Sequence, residues 1–295
     1  MTSPTTTPQD AAELAERLLH GPDPELERAV TILAHPEGSG PVERREALLP
    51  RYDAIVARVG PPTLLGGTGH GPSVRWHTAE RTLLLAGDSS AATLSVHDAQ
   101  GLARREFWDF DSGRPMPYTW QLDRGGPGKD PGWTFNGHSA DYTWDEAEES
   151  LTLLLSSWAE HMPVQAPGDW VGFRLRISRD WKRDMVVGVS PTATGYEFHA
   201  GIYDLDHEQT PEHAEHMRAR GWRELDEHRW WRVNIPETDP GAAAELSRVV
   251  ISDVRARRST CPAEVHAWDI SAGDNGRLWV PGLGFEVHPR RGEHY

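Results

Sequence analysis

Two kinds of residue are nearly missing from this sequence. It has a single cysteine, Cys261, and only two lysines, Lys129 and Lys182. One cysteine excludes an intramolecular disulfide and fits a reducing compartment. Cys261 follows a predicted helix and precedes Pro262, a setting that reads as structural rather than nucleophilic. Long hydrophobic runs are missing too: LTLLL at 151–155 is far too short to span a bilayer. The opening MTSPTTTPQD has neither a basic start nor an apolar stretch, so no secretory signal is expected and a cytoplasmic location is.

Catalytic signatures are scarce as well. There is no GxSxG elbow. The glycine-rich GGTGHGP at 66–72 precedes a strand pattern and lacks the Lys-Ser/Thr of a phosphate loop, so it reads as a turn. The HEQTP at 207–211 places Pro211 where a zincin motif needs its second histidine.

What is present is acid, arginine and tryptophan. The formal net charge is -15, which opposes binding to nucleic acid or to anionic membrane surfaces. Charged residues make up 25% and hydrophobic ones 37%, the balance of a folded globule, and 295 residues suffice for two domains. All basic residues other than the two lysines are arginine, and tryptophan occurs 13 times.

Periodicity predicts a helix from Thr7, a second from Asp23 with Leu26, Ala29, Val30 and Leu33 inward, and a third over 42–59 that Pro50 should kink or split. Three short strands follow at 73–77, 82–86 and 92–97, then a short helix near 98–106, a strand at 118–123 and a return strand WTFN. Thr143 and Glu146 form a capping box for a helix expected to end before Pro163. The last third reads as strands WVGFRLRIS, 185–190 and 196–203, a helix near 211–219, a hairpin of 222–225 with 229–235, a helix capped by Asp239, and a strand at 263–270. In that last helix Asp253/Arg257 reads as a surface ion pair.

The stretch YDLDHEQTPEHAEHMRARGW, 203–222, is dense in histidine and carboxylates. A metal site there would draw on Asp204, His207, His213 and His216, with the two helical histidines three apart. Each oddity also has a local structural role: Thr210 caps, Pro211 opens the helix, Glu212 suits the dipole and Gly221 ends it. The structural reading is preferred, and no metal or other cofactor is expected. Among the tryptophans, Trp230 and Trp231 must point to opposite faces of a strand, so one of them leaves the core. With Trp222 and the arginines Arg174, Arg176, Arg223 and Arg232 they form a candidate binding set, since aromatic and arginine side chains dominate such contacts.

The segments MRARGWREL, RWWRVNIPETDPGAAAELSRVVISDVRAR and CPAEVHAWDI resemble the type III secretion chaperone and YbjN superfamily over roughly 140–270. That resemblance implies an order of helix, three strands, helix, hairpin, helix, and a non-enzymatic protein that holds another polypeptide. The expected fold is α+β: antiparallel sheets flanked by helices in two similar αβββαββα-like units. The expected division is a helical extension over 1–40, a first domain over 41–140 and a second over 141–295. The expected function is chaperone-like or regulatory peptide binding, with a homodimer also open. The alternatives are a metal-dependent enzyme using the cluster at 199–216, and an acidic immunity-type protein masking a toxin or other conflict-system component.

Overall fold

The structure, a computed structural model, describes residues 6–22, 24–112, 118–123, 143–176, 184–203, 210–225, 230–239, 241–257, 262, 265–273, 277–280, 283 and 285–287. The loop 125–132, the expected WTFN strand and Cys261 lie outside them. The fold is α+β, with helices flanking two sheets that are antiparallel but for one short parallel pairing. The chain divides into two compact units. The first comprises 1–134, 156–167 and 275–282, and the second 135–155, 168–274 and 283–295.

The first unit contains α1 (Pro8–His20), β1 (Val30–Ala34), α2 (Pro41–Val59), β2 (Leu64–Gly67), β3 (Ser73–His77), β4 (Arg81–Gly87), β5 (Ala91–Asp98), α3 (Ala99–Asp111) and β6 (Trp120–Asp123). The chain returns with β13 (Arg277–Trp279), giving the sheet order β1-β5-β4-β3-β2-β6-β13. Thr7 caps α1 as expected, its hydroxyl accepting from the Asp10 amide. The expected second helix is instead the edge strand β1: Ile32 and Leu33 are buried, and Val30 pairs with Leu94. The β-branched run Val-Thr-Ile favours a strand once β5 offers a free edge. Residues 8–34 are therefore part of the first unit's fold. The helix α2 runs unbroken through Pro50, and GG of the glycine-rich stretch ends β2.

Two buried ion pairs tie helices to this unit, and neither was visible as a sequence pattern. Arg75 of β3 makes a two-pronged pair with Glu106 of α3, at 2.8 and 2.5 Å, with both side chains buried. Arg44 of α2 holds Glu160 in the same way, at 2.8 and 2.5 Å. Glu160 belongs to α4 (Trp144–Gln165), whose Thr143–Glu146 capping box forms as expected. The helix does not stop before Pro163 but continues two residues past it, so its second half serves the first unit and its first half the second.

The second unit runs α4, β7 (Val171–Arg176), β8 (Asp184–Thr192), β9 (Gly195–Tyr203), α5 (Pro211–Ala219), β10 (Arg223–Leu225), β11 (Trp230–Pro236), α6 (Ala242–Arg257), β12 (His266–Ala272) and β14 (Glu286–Val287). Up to α6 this is the helix, three strands, helix, hairpin, helix order. The sheet order is β10-β11-β9-β8-β7-β12-β14. Its helix side is buried through Phe173, Val187, Ala200, Trp231, Val233 and Ile235, and α6 packs over β9 and β11. Asp253 of α6 is not a surface group: it is 0% exposed and accepts from Arg220 Nη1 at 3.0 Å. α6 begins at Ala242, three residues after Asp239, whose carbonyl accepts from the Ala242 amide.

Breaking one partner of the Arg75–Glu106 pair leaves a buried charge alone. Arg75→Met is expected to cost about 3–5 kcal/mol in urea unfolding, and Arg75→Met with Glu106→Leu to recover most of that loss.

Candidate functional site

Strand alternation sorts the second unit's side chains into two sets. Opposite the helix side lies a face built from cross-strand rows. One row reads Trp268, Arg174, Val186, Gly201, Arg232, Arg223 across β12, β7, β8, β9, β11 and β10. A neighbouring row reads Ser271, Gly172, Gly188, His199, Asn234. On the other side of the arginine row, Arg176 lies between His266 and Asp184, and Trp230 lies beside Leu225.

Five of the seven predicted binding residues thus share one face: Arg174, Arg176, Arg223, Trp230 and Arg232. The other two do not. Trp231 is 0% and Trp222 1% exposed, so both are core residues, because the parity that puts Trp230 outward puts Trp231 inward. Trp230 is 41% exposed, as is Trp170 at 43%, one residue before β7 with outward parity.

Trp268 is the contributor that the predicted set lacks. Its ring lies under both Arg174 and Arg176, at 5.4 and 5.5 Å from the guanidinium carbons. A register shift between Trp268 and Ser271 explains the arrangement. Asp269 sits there at φ 51°, a left-handed backbone that aspartate tolerates, and its carboxylate reaches Arg174 Nε at 3.2 Å. Regular alternation would have turned Asp269 into the core. The only sequence signal for this site was the aromatic-acid pair in HAWDI.

The remaining arginines are lightly engaged. Arg176 Nε is 4.0 Å from Asp184, beyond hydrogen-bond range. Arg232 donates once to Glu197, at 3.0 Å, and Asn234 donates to the same carboxylate oxygen at 2.7 Å. His199 fills the space left by the missing side chain of Gly188, where a Cβ would stand 3.3 Å from its Cε1. Burial, reinforced by the Arg232 charge, pushes the His199 pKa down to about 4.

The histidine cluster does not assemble. Asp204 and His207 lie outside the described residues. His213 turns inward, its ring edge-on to Trp231 at 6.2 Å, whereas His216 is exposed one turn later. Thr210 caps the helix by accepting from the His213 amide, and Gly221 takes φ 91° at its end. Among the described residues no group of three His, Cys, Asp or Glu is placed to hold a metal.

A second polar cluster lies in the first unit, where α4 meets β2. Gln165 donates to and accepts from the Gly66 backbone, both at 2.8 Å, and Trp120 Nε1 donates to Ser157 Oγ at 2.9 Å. Between them His161 is fully buried, its Nε2 has no hydrogen-bond partner, and burial lowers its pKa to about 3. Gly67 permits this approach, since a Cβ there would stand 2.5 Å from Ser157 Oγ. The arrangement docks a helix on a strand.

Comparison with protein-family models, curated proteins and solved structures finds no match to this chain. No described helix is long and apolar enough to cross a membrane.

Both depressed histidines make stability depend on pH. Their folded values lie below the ordinary 6.5, so the unfolded chain takes up protons first as pH falls. Their contribution is complete above about pH 6.5 and declines as pH drops toward 4 for His199 and 3 for His161. The urea midpoint is expected to fall between about pH 7 and pH 5, and His199→Gln to flatten that slope.

Proposed function

We propose that this is a non-enzymatic protein that holds a segment of another polypeptide against the outward face of its second unit, in a chaperone-like or regulatory role. The observation that carries the proposal is the composition of that face. Trp230, Trp170 and Trp268 stand around a centre formed by Gly172, Gly188, Gly201 and Val186, with four arginines interleaved. Of these glycines Gly201 leaves the floor open, since a Cβ there would meet nothing nearer than the Trp231 carbonyl oxygen at 3.9 Å. Tryptophan and arginine at its margins are the residue types that carry most binding energy in protein contacts.

Two further points support the reading. The order of elements in the second unit is the one implied by the resemblance to secretion chaperones and YbjN proteins. Burial keeps His199 neutral at physiological pH, so among the described residues of the face it is not poised as a charged acid. The single cysteine fits a reducing cytoplasm as the working compartment.

Selection of peptides from a displayed library on the purified chain tests the proposal. Selected peptides are expected to lose about tenfold or more in affinity to Trp230→Ala, with the melting temperature unchanged because Trp230 stands outside the core. Trp231→Ala, in contrast, is expected to destabilise the fold by about 3–5 kcal/mol. A library that yields no binder, or binders indifferent to Trp230 and Trp170, would overturn the reading.

A further inference from the structure

We infer that the segment held on this face is acidic and extended, with carboxylates four residues apart flanking a small or apolar residue. The inference rests on the binding face proposed above and adds the chemistry and spacing of its occupant.

The charge on the face runs against that of the chain. In a protein of net charge -15, this face carries four guanidiniums, with the Asp269 carboxylate as exposed as the Arg174 it meets. Arg174, Arg223 and Arg232 share one row, and Arg176 stands beside Arg174 on the same strand. Their own acidic neighbours leave much of the donor capacity open. Arg174 meets Asp269 through Nε, and Arg232 gives Glu197 a single hydrogen bond. Asp184, 4.0 Å from Arg176, is only 3% exposed at its side chain and so presents little charge to a ligand. A guanidinium offers five N–H donors in a planar fork, and carboxylate is its matching acceptor.

The spacing follows from the register. Arg174 and Arg232 are separated by Val186 and Gly201, which is three strand intervals or about 14 Å. An extended chain laid along this row advances about 3.4 Å per residue, so four residues cover the distance. Its side chains alternate, so positions i, i+2 and i+4 all face the sheet. Carboxylates at i and i+4 then meet Arg174 and Arg232. The side chain at i+2 rests over Val186 and Gly201, where a Cβ built on Gly201 would meet nothing nearer than the Trp231 carbonyl oxygen at 3.9 Å. Trp268 and Arg223 extend the row at its two ends. A long polyanion such as single-stranded nucleic acid also carries charge for arginines and bases for tryptophans, but the chain's net charge of -15 opposes it. Two carboxylates placed on the row do not extend into that repulsion.

The test is fluorescence anisotropy of a dye-labelled Gly-Ser-Glu-Ser-Leu-Ser-Glu-Ser-Gly peptide titrated with the full chain, up to about 1 mM protein. Binding is expected, weakened about tenfold when either glutamate becomes glutamine, when the two are set three apart, or by Arg174→Gln or Arg232→Gln. It is also expected to weaken as salt is raised. Arg174 and Arg232 are exposed enough that circular dichroism melting should leave both variants folded as the parent. Equal binding of the glutamine peptide, sensitive to Trp230→Ala, would overturn the acidic preference and leave peptide binding standing. Failure of these peptides together with an empty library selection would overturn both. Tighter binding of labelled oligothymidine, or a dimer in native mass spectrometry that Arg232→Gln dissolves, would replace the acidic peptide by another occupant.

Discussion

Burial of Trp231, Val233 and Ile235 under α6 is the constraint on which the second unit turns. A strand side chain has only two directions, so fixing these three inward fixes Trp230, Arg232 and Asn234 outward. Cross-strand pairing then carries the choice through β9, β8, β7 and β12. The outward face is thus the geometric complement of the core, and a slip of one residue in β11 would bury the Arg232 charge and the Asn234 amide and expose Trp231, Val233 and Ile235. Register is strongly specified for that reason.

The first unit solves a different problem. Its helices α2, α3 and α4 are held by arginine–carboxylate pairs taken out of water, Arg44 with Glu160 and Arg75 with Glu106. Such pairs contribute little net stability compared with an apolar pair of the same size, but each tolerates only its own partner. Burial raises the Glu160 pKa, and the Arg44 charge opposes that rise. The polar seam of Ser157, His161 and Gln165 against Gly66 and Gly67 works similarly, matching one helix face to one glycine edge. Arg44 and Arg75 are thus closely paired inside the first unit, whereas Arg174 and Arg232 of the second are exposed and loosely paired.

Much of the secondary structure was legible from sequence. The caps at Thr7, Thr143 and Thr210, the β8–β9 strands and the order of elements after residue 143 all follow from local chemistry. Misreadings occurred where tertiary contacts outweigh local preference. Val30–Ala34 shows helical spacing, yet it becomes a strand because β5 offers an open edge. Pro163 marks a helix end in sequence, yet α4 continues past it because the next turn is anchored to Gly66. Asp253 looked like half of a surface pair, and Arg220, just past the end of α5, claimed it.

For the outward face of the second unit, the sequence by itself determined the ingredients: arginine instead of lysine, adjacent tryptophans on a strand, and an acidic chain around them. It also determined that one of Trp230 and Trp231 must face away from the core, since adjacent strand residues cannot share a side. Which one was decided only by the tertiary structure, through the packing of α6. The same packing brought Arg174, Arg232 and Trp268, from distant parts of the chain, into a single row. Local sequence carries no information about strand register between segments so far apart, because that register is set by how the buried faces fit together.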